Sequence, residues 1–170
     1  MRGLGAVFAT VALLTCAGAA LGQGLDPNAI PARVVGVFES SAGPVIILEA
    51  VGRQAYLPVW VADREATVAR DYLAGQRQPR PLTHDLLLNV ITSLGARVTQ
   101  VFVSDLRDRT FIGRIDVFQG GLVRQIDART SDAVCIALGA RVPVFIMAHV
   151  LAQAGMTRGQ LAQQGIVLPP

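Results

Sequence analysis

The feature that most constrains the fold of this chain is an internal repeat. The segment VFES recurs as VFVS, and VWVADREA at residues 59–66 recurs as IDARTSDA at residues 126–133. Each half has three apolar stretches with strand-like alternation, followed by a helical stretch that opens with an acidic residue and alanine. Glu65 and Asp132 occupy equivalent places in the two copies. Duplicated strand-strand-strand-helix units commonly pack into one sheet, so the repeat predicts an α+β domain with a mixed, largely antiparallel sheet and helices packed on it.

Turn signals divide the two halves into elements, because glycine, proline and paired-glycine segments separate the apolar stretches. In the last helix, Thr157 and Gln160 have the spacing of a capping box. The predicted strands are residues 33–40, 44–51, 54–61, 97–105, 110–119, 122–128 and 142–147, and the predicted helices are residues 63–75, 83–95, 130–140, 148–155 and 157–165. Helical spacing predicts that the second helix turns five apolar side chains inward, namely Leu86, Leu87, Val90, Ile91 and Leu94.

The first 25 residues have the layout of a secretory signal, with one charge at Arg2 ahead of a run of alanine, leucine and valine. We interpret residues 1–22 as a signal peptide that is cut before Gln23, which predicts export to the periplasm or the medium. The remaining chain then divides into a linker at 23–32, the main domain at 33–155, and a short helix with a tail at 156–170.

Two other interpretations of this segment stay open. Residues 3–25 are uncharged and long enough to span a bilayer, which would tether the protein to the membrane. A stable transmembrane anchor is not expected, because the segment is rich in alanine and glycine and no basic stop-transfer flank follows. A lipoprotein signal at Cys16 is the third interpretation.

Composition excludes some classes of protein. Hydrophobic residues make up 52% and charged residues 16% of the chain, which excludes an intrinsically disordered protein. The net charge of +3, with arginine as the only basic residue besides histidine, is weak support for a polyanionic partner. There is no glycine-rich phosphate loop, no CxxC pair and no HExxH. Cys135 lies in an apolar helical stretch and is predicted to be a buried core residue rather than a nucleophile.

The segment PLTHDLL contains the first candidate site. Thr83 can cap a helix, and Asp85 in its first turn complements the helix dipole. A cap does not require His84, which at the first helical position is expected to face solvent or a cleft. An imidazole there can accept or donate a proton near neutral pH. The segment is therefore either a helix cap or the edge of a site.

The second candidate is the strand-to-helix turn QIDARTSDA. It carries Asp127, Arg129, Ser131 and Asp132, which is more than a cap with Thr130 or Ser131 requires. Free N–H groups at a helix start bind anions, and an arginine can clamp a phosphate with two hydrogen bonds. A surface ion pair beside a cap would explain the same residues. The equivalent turn of the first half supplies Glu65, which is expected to share a groove with Asp132 if the halves pack about a pseudo-twofold axis.

At these motifs the chain resembles the bifunctional nuclease family, over residues 33–155. The resemblance rests on three blocks in the same order, which are LPVWVADREA, PRPLTHDLLLNVITSLGA followed by VFVSDLRDRTF, and IDARTSDAVCIAL. It implies a duplicated α+β fold, a homodimer, and hydrolysis of DNA and RNA without strong sequence preference. Thr130 stands where the family pattern usually has proline. The motif positions carried over are Glu65, Thr83, His84, Asp85, Asp127, Arg129, Ser131 and Asp132.

Phosphodiester cleavage needs an activated water and a charge clamp on the phosphorus oxygens, which suggests roles for these residues. Asp127, Asp132 and Glu65 are the candidates for a general base or for ligands of a divalent metal, Mg²⁺ or Mn²⁺. Arg129, with Ser131 and Thr83, would bind the substrate phosphate, and His84 oriented by Asp85 would act as acid or base. The alternative function is a non-enzymatic, exported and dimeric module that binds a small anion or a protein partner through the same turns.

Overall fold

The computed structural model describes residues 26–76 and 78–169, so the predicted signal peptide at residues 1–22 lies outside the described residues. β1 starts at residue 29, inside the stretch predicted as a linker. Within the described ranges the elements follow the order β1 (Ala29–Ser40), β2 (Gly43–Ala50), β3 (Tyr56–Trp60), α1 (Asp63–Leu73), α2 (Thr83–Ser93), β4 (Arg97–Arg107), β5 (Thr110–Gln119), β6 (Leu122–Arg129), α3 (Thr130–Ala140), β7 (Val144–Met147), α4 (Ala148–Ala154) and α5 (Arg158–Gln163).

The strands form one sheet in the order β3-β2-β1-β7-β4-β5-β6. β1 to β3 make one antiparallel meander and β4 to β6 make a second. β7 joins the two meanders, antiparallel to β1 and parallel to β4. Each meander leads into a helix, α1 or α3, as the repeat predicts. The α+β class and the mixed, largely antiparallel sheet are therefore confirmed.

The main core lies between the sheet and the helices. Val101 and Val103 of β4 belong to it, whereas Phe102 between them points to the opposite face, because side chains alternate along a strand. α1 packs on β1 and β2, and α3 packs on β4 and β5. Each half of the repeat thus covers its own meander with its own helix.

A smaller core lies on the opposite face of the first meander. Val45 and Ile47 of β2 pack there against Leu161 of α5 and the following tail residues Ile166 and Leu168. The carboxyl-terminal segment therefore stabilises one half of the far face of the sheet. Among residues 26–76 and 78–169, no helix combines the length and the apolar character that a membrane crossing requires.

α2 is rotated relative to the prediction from its apolar spacing. Four of the five side chains predicted to face inward are exposed, namely Leu86, Leu87, Val90 and Leu94. His84 is buried instead, and Leu88 and Ile91 pack against the main core. α2 is apolar around most of its circumference, so spacing alone does not select the buried face. The polar contacts of His84 and Asp85, described below, select it.

The predicted helix caps are corrected at two helices. α2 begins after Leu82, so that Thr83 is not its cap. α3 begins after Arg129, so that neither Thr130 nor Ser131 is the cap. Neither Leu82 nor Arg129 caps its helix through a side-chain hydrogen bond. At α5 the predicted capping box of Thr157 and Gln160 is confirmed.

Candidate functional site

Four titratable side chains meet where α1 and α3 begin, and we call them the Arg129 cluster (Glu65, His84, Arg129 and Asp132). Glu65 and Asp132 are each the third residue of their helix, and the two helices pack against each other. The Arg129 guanidinium lies between them. Its Nη2 donates to Glu65 Oε1 at 2.7 Å and to Asp132 Oδ1 at 3.0 Å, and its Nε donates to Asp132 Oδ2 at 2.7 Å. The equivalent acids of the repeat therefore share one cation.

His84 joins the cluster through Asp132. Its Nε2 lies 3.1 Å from Asp132 Oδ1, and its side chain is only 11% exposed, so of the two expected environments, solvent and a cleft, solvent is excluded. An ionised carboxylate only accepts hydrogen bonds, which places the hydrogen on Nε2 and leaves Nδ1 of the neutral ring as an acceptor. Nδ1 forms no hydrogen bond within the described part of the chain. Asp132 therefore fixes the tautomer of His84.

Hydrogen bonds within the cluster favour the ionised forms of Asp132 and Arg129. Burial of the Asp132 carboxyl group raises its pKa, but hydrogen bonds from Arg129 and His84 outweigh this effect and hold the pKa below its usual value. The pKa of Arg129 is raised, first by its hydrogen bonds with Asp132 and then by the one with Glu65. The Asp132–Arg129 pair consequently stays ionised at neutral pH.

Arg129 keeps donors for a ligand although it holds two carboxylates. Its side chain is 67% exposed, and its Nη1 donates no hydrogen bond to any described residue. α3 starts beside it without a side-chain cap, so its first backbone N–H groups are also unclaimed by a cap. A guanidinium edge next to a helix start suits a phosphate group.

The start of α3 is held in place by a close approach to β5. A Cβ atom added at Gly113 would lie 2.9 Å from the backbone oxygen of Ala128 and 3.0 Å from atoms of Thr130 and Ala133. Glycine is therefore required at this point of β5. Any side chain there would push away the turn that positions Arg129.

The other predicted site residues of α2 and α3 lie beside the cluster without joining it. Asp85 Oδ1 accepts a hydrogen bond from the Tyr72 hydroxyl at 2.9 Å, and its Oδ2 accepts one from the Leu82 backbone N–H at 3.1 Å. The orienting role expected of Asp85 toward His84 is held by Asp132 instead. Thr83 is exposed and Ser131 is half-buried, and neither side chain forms a hydrogen bond within the described ranges.

Asp127 is not part of the Arg129 cluster. It stands opposite Arg114 in the register of β5 and β6, and directly opposed residues point to the same face of a sheet. Arg114 stacks on Phe102 and donates to Asp116 on the face away from α1 to α3. The structure therefore separates Asp127 from the other predicted acids.

Sequence reasoning missed two neighbours of the cluster. The Tyr72 hydroxyl holds Asp85, and a tyrosine on the inner face of a predicted helix was the available signal. Thr130 Oγ1 is buried and has no hydrogen-bond partner among the described residues, and no sequence pattern indicates this. Cys135 behaves as predicted: it is fully buried, and burial together with the charges of Asp132 and Glu65 raises the pKa of its thiol to about 12.

The geometry of the cluster does not suit a divalent metal. Within residues 26–76 and 78–169, no three or more histidine, cysteine, aspartate or glutamate side chains are grouped so as to hold one. Both oxygens of Asp132 and one of Glu65 are bound by Arg129, which would repel a dication. Asp127, the third predicted ligand, lies on the other face of the sheet.

A family model and two relatives match this chain. The family model of the bifunctional nuclease domain matches residues 46–159, which include the whole Arg129 cluster. Two uncharacterized proteins of Mycobacterium tuberculosis, MT1877 of strain CDC 1551 and Rv1829 of strain H37Rv, are similar to this chain. Each is 38% identical to it over 126 residues, which cover 73% of this chain and 75% of the relative.

Proposed function

The chain belongs to the bifunctional nuclease domain family, and on this premise we propose that it hydrolyses phosphodiester bonds in DNA and RNA with little sequence preference. The observation that carries the proposal is the Arg129 cluster. An exposed guanidinium is held by the equivalent acids of both halves, and one of those acids also holds an imidazole. This arrangement supports the proposal, because a side chain suited to phosphate binding and one suited to proton transfer contact the same carboxylate.

In the proposed reaction Arg129 binds the phosphate. Its Nη1 and the first N–H groups of α3 would donate to the non-bridging oxygens, with the hydroxyls of Ser131 and Thr83 at the margin of the site. Because Glu65 and Asp132 already hold the guanidinium, little side-chain freedom is lost when substrate binds. Negative charge that develops on these oxygens during attack is then stabilised by a preorganised cation.

His84 is the proposed general base. Its Nδ1 takes a proton from the attacking water while the new bond from oxygen to phosphorus forms and the bond to the leaving oxygen breaks. Asp132 stabilises the resulting imidazolium through Nε2. The leaving oxygen takes its proton from solvent, and no step requires a metal ion.

The test is an assay of the purified mature protein on plasmid DNA and RNA, with Mg²⁺, Mn²⁺ or EDTA. We expect cleavage that persists in EDTA and falls about 10²–10⁴-fold in His84→Gln, as for removal of a general base. His149→Gln is the matched control, because His149 is half exposed and contacts Asp105 outside the cluster. Arg129→Gln, compared with Arg33→Gln from an exposed Arg–Glu pair, tests the phosphate clamp.

If His84→Gln, still folded by circular dichroism, cleaves as fast as the parent, the assignment of the base is wrong. Strict dependence on Mg²⁺ or Mn²⁺ would show that Arg129 leaves the carboxylates to a metal in the working enzyme. If the parent protein cleaves and Arg129→Gln and Arg33→Gln lose the same fraction of activity, Arg129 does not bind the substrate phosphate.

A non-enzymatic binding module is the second candidate, and the low exposure of His84 favours it. A histidine whose side chain is 11% exposed has little room to meet a water and a substrate together. In that case Arg129 would hold a small anion that is not cleaved. Salt-dependent binding of a single strand without any products on a long incubation would support this function over the nuclease.

We also propose a homodimer, formed through the exposed stripe of α2 (Leu86, Leu87, Val90 and Leu94). Each of these side chains is 45% exposed or more, and monomeric proteins rarely expose a contiguous apolar stripe of this kind. The stripe has no charged residue that would select a different partner, and a twofold interface needs only a patch that fits itself.

The edges of the duplicated sheet support a second copy as the occupant. β3 is short, contains Pro58 and is bridged at its first residue, Tyr56, to Met156, which protects that edge. The equivalent β6 is longer and has no proline, and it exposes Leu122 and Ile126. An open edge with apolar side chains supports a partner on the side of the second meander, where α2 packs on α3 and β4. Export after cleavage of residues 1–22 remains part of the proposal.

A further inference from the structure

The two helices that meet at the Arg129 cluster differ at one pair of equivalent positions. α1 and α3 share one register in the repeat, because each begins two residues before its acid, Glu65 or Asp132. Two turns further along the same face, the first copy has Tyr72 and the second has Gly139. These two residues are in contact, since a Cβ added at Gly139 would lie 2.9 Å from Tyr72 Cζ and 3.1 Å from its hydroxyl oxygen. The glycine of the second copy therefore makes room for the tyrosine of the first.

α2 is tied to this contact through one carboxylate. The Tyr72 hydroxyl donates to Asp85 Oδ1 at 2.9 Å. Asp85 Oδ2 accepts the backbone N–H of Leu82, the residue before α2, at 3.1 Å. Leu88, one turn further along α2, lies against the same side of Gly139 as the Tyr72 ring. The first turn of α2 is thus bound to α1 by hydrogen bonds, in addition to the packing of α2 on α3 and β4.

The position of this turn determines the position of the imidazole, because His84 and Asp85 are consecutive residues of it. Consecutive helical side chains point about 100° apart, so a turn that holds Asp85 toward Tyr72 directs His84 to a different neighbour, which is Asp132. In the second copy a strand, β7, follows α3 where α2 follows α1 in the first. The chain therefore has one such imidazole for two equivalent acids. In the described part of the chain His84 is hydrogen-bonded to Asp132 and not to Glu65.

We propose that Tyr72 and Asp85 are positioning residues for His84, and that the difference between Tyr72 and Gly139 decides which of the two equivalent acids pairs with the imidazole. Neither positioning residue touches the substrate in this role. Both hold the first turn of α2 so that His84 Nε2 stays on Asp132, and Asp85 acts through the helix backbone rather than by contact with the ring. Their effect on cleavage rests on the proposed function, whereas their effect on the imidazole does not.

The test is the rate at which the hydrogen on His84 Nε2 exchanges with water, measured by nitrogen-15 NMR of the imidazoles. The chain has two histidines, so His149, which is half exposed, supplies the reference signal. Tyr72→Phe removes only the hydroxyl, and we expect the His84 hydrogen to exchange about tenfold faster in this variant, the factor that one lost hydrogen bond corresponds to. Tyr56→Phe is the matched control, because Tyr56 is the other tyrosine of the chain and packs against the smaller core on the far face of the sheet.

A double-mutant cycle tests whether the two positioning residues act together. Asp85→Ala removes the acceptor of both hydrogen bonds, so it should accelerate exchange at least as much as Tyr72→Phe does. Combining the two substitutions should add little, because the hydroxyl has already lost the carboxylate that it holds. In the cleavage assay Tyr72→Phe should lower kcat about tenfold and leave KM unchanged, since a displaced base affects the chemical step and not phosphate binding.

Four outcomes would overturn the proposal. They are exchange of the His84 hydrogen at the parent rate in Tyr72→Phe, equal acceleration in Tyr56→Phe, exchange in the parent as fast as that of His149, and additive effects of Tyr72→Phe and Asp85→Ala. If the parent cleaves neither DNA nor RNA while exchange responds as expected, the proposed function fails and the positioning of His84 stands. If the parent cleaves while exchange is the same in every variant, the nuclease stands and the positioning fails.

Discussion

Asp132 is the residue on which the Arg129 cluster depends, because it accepts hydrogen bonds from both Arg129 and His84. Its pKa is lower in the folded protein than in the unfolded chain, so its ionised form stabilises the fold. This stabilisation is present at pH values above the usual aspartate pKa of about 4 and is lost as the pH falls through the lower, folded value. The acid limb of the stability profile should therefore contain a contribution from this carboxylate.

We expect Asp132→Asn to unfold at a lower urea concentration than the parent at pH 6, because the variant lacks the carboxylate. The difference between the two proteins should shrink as the pH is lowered below about 4, where the parent loses the same charge. Asp127→Asn is the control, since Asp127 is exposed and has no ion pair within the described residues. A difference that stays constant from pH 6 to pH 3 would contradict a stabilising role of the Asp132 charge.

A second prediction at the scale of single residues concerns Thr130. Its hydroxyl is buried without a partner among the described residues, and such a group costs about 1–3 kcal/mol. Thr130→Val removes the hydroxyl and keeps the branched shape, so the free energy of unfolding should rise by about 1 kcal/mol. Thr99→Val should lower it, because the Thr99 hydroxyl donates to the Asp116 backbone oxygen at 3.1 Å. Equal effects of the two substitutions in urea unfolding would show that the Thr130 hydroxyl is not unsatisfied in solution.

At the scale of elements, α3 and α2 pack closely through a helical glycine. A Cβ added at Gly139 would lie 2.9 Å from Leu88 Cδ1 and 2.9 Å from Tyr72 Cζ. Replacing a helical glycine with alanine normally stabilises a helix by up to about 1 kcal/mol. Here we expect Gly139→Ala to lower the free energy of unfolding by about 1–3 kcal/mol, because overpacking must move the Tyr72 ring that holds Asp85.

Gly159→Ala in α5 is the control that separates the effect of packing on stability from the effect of helix propensity. An added Cβ there meets only Thr157 Oγ1, at 4.0 Å, so the substitution should be neutral or stabilising in thermal unfolding. If both alanines stabilise the protein, the contact between α2 and α3 is looser than the structure indicates. If both destabilise it, the effect of Gly139→Ala does not report on Tyr72.

The sequence predicts elements better than their orientation. The bounds of β5 and α3 agree with their predicted ranges, because paired glycines and an acidic helix start mark them. The prediction of which face of α2 is buried is wrong, because this helix has apolar residues on several sides. The contact that decides the buried face, from His84 to Asp132, joins residues far apart in sequence. The predicted cap residues of α2 and α3 are wrong by one or two positions for a related reason. The sequence contains residues able to cap, but the backbone turn determines where the helix begins.

At the scale of the whole molecule, the repeat predicts more of the site than any single motif does. It relates Glu65 to Asp132, and the packing of α1 on α3 then brings both to Arg129. The position of β7 between the two meanders was not predictable, because strand order depends on long-range pairing that periodicity does not encode. Asp127 was misjudged for the same reason: a neighbour of Arg129 in sequence, it points to the other face of the sheet.

The exposed stripe of α2 gives the last prediction, which concerns assembly. If two copies meet through this stripe, a charge introduced at its centre is buried in the interface without a partner. The free energy cost of burying that charge should prevent dimerisation. We therefore expect Val90→Asp to be a folded monomer in light scattering at concentrations where the parent is a dimer. Leu73→Asp is the matched control, because Leu73 is a similarly exposed leucine on α1 outside the stripe, and it should remain dimeric. A parent protein that is monomeric at every concentration would rule out the interface. Loss of the dimer in both variants would show that the interface is not confined to α2. An interface at α2 should be disrupted by the substitution in α2 and not by the one in α1.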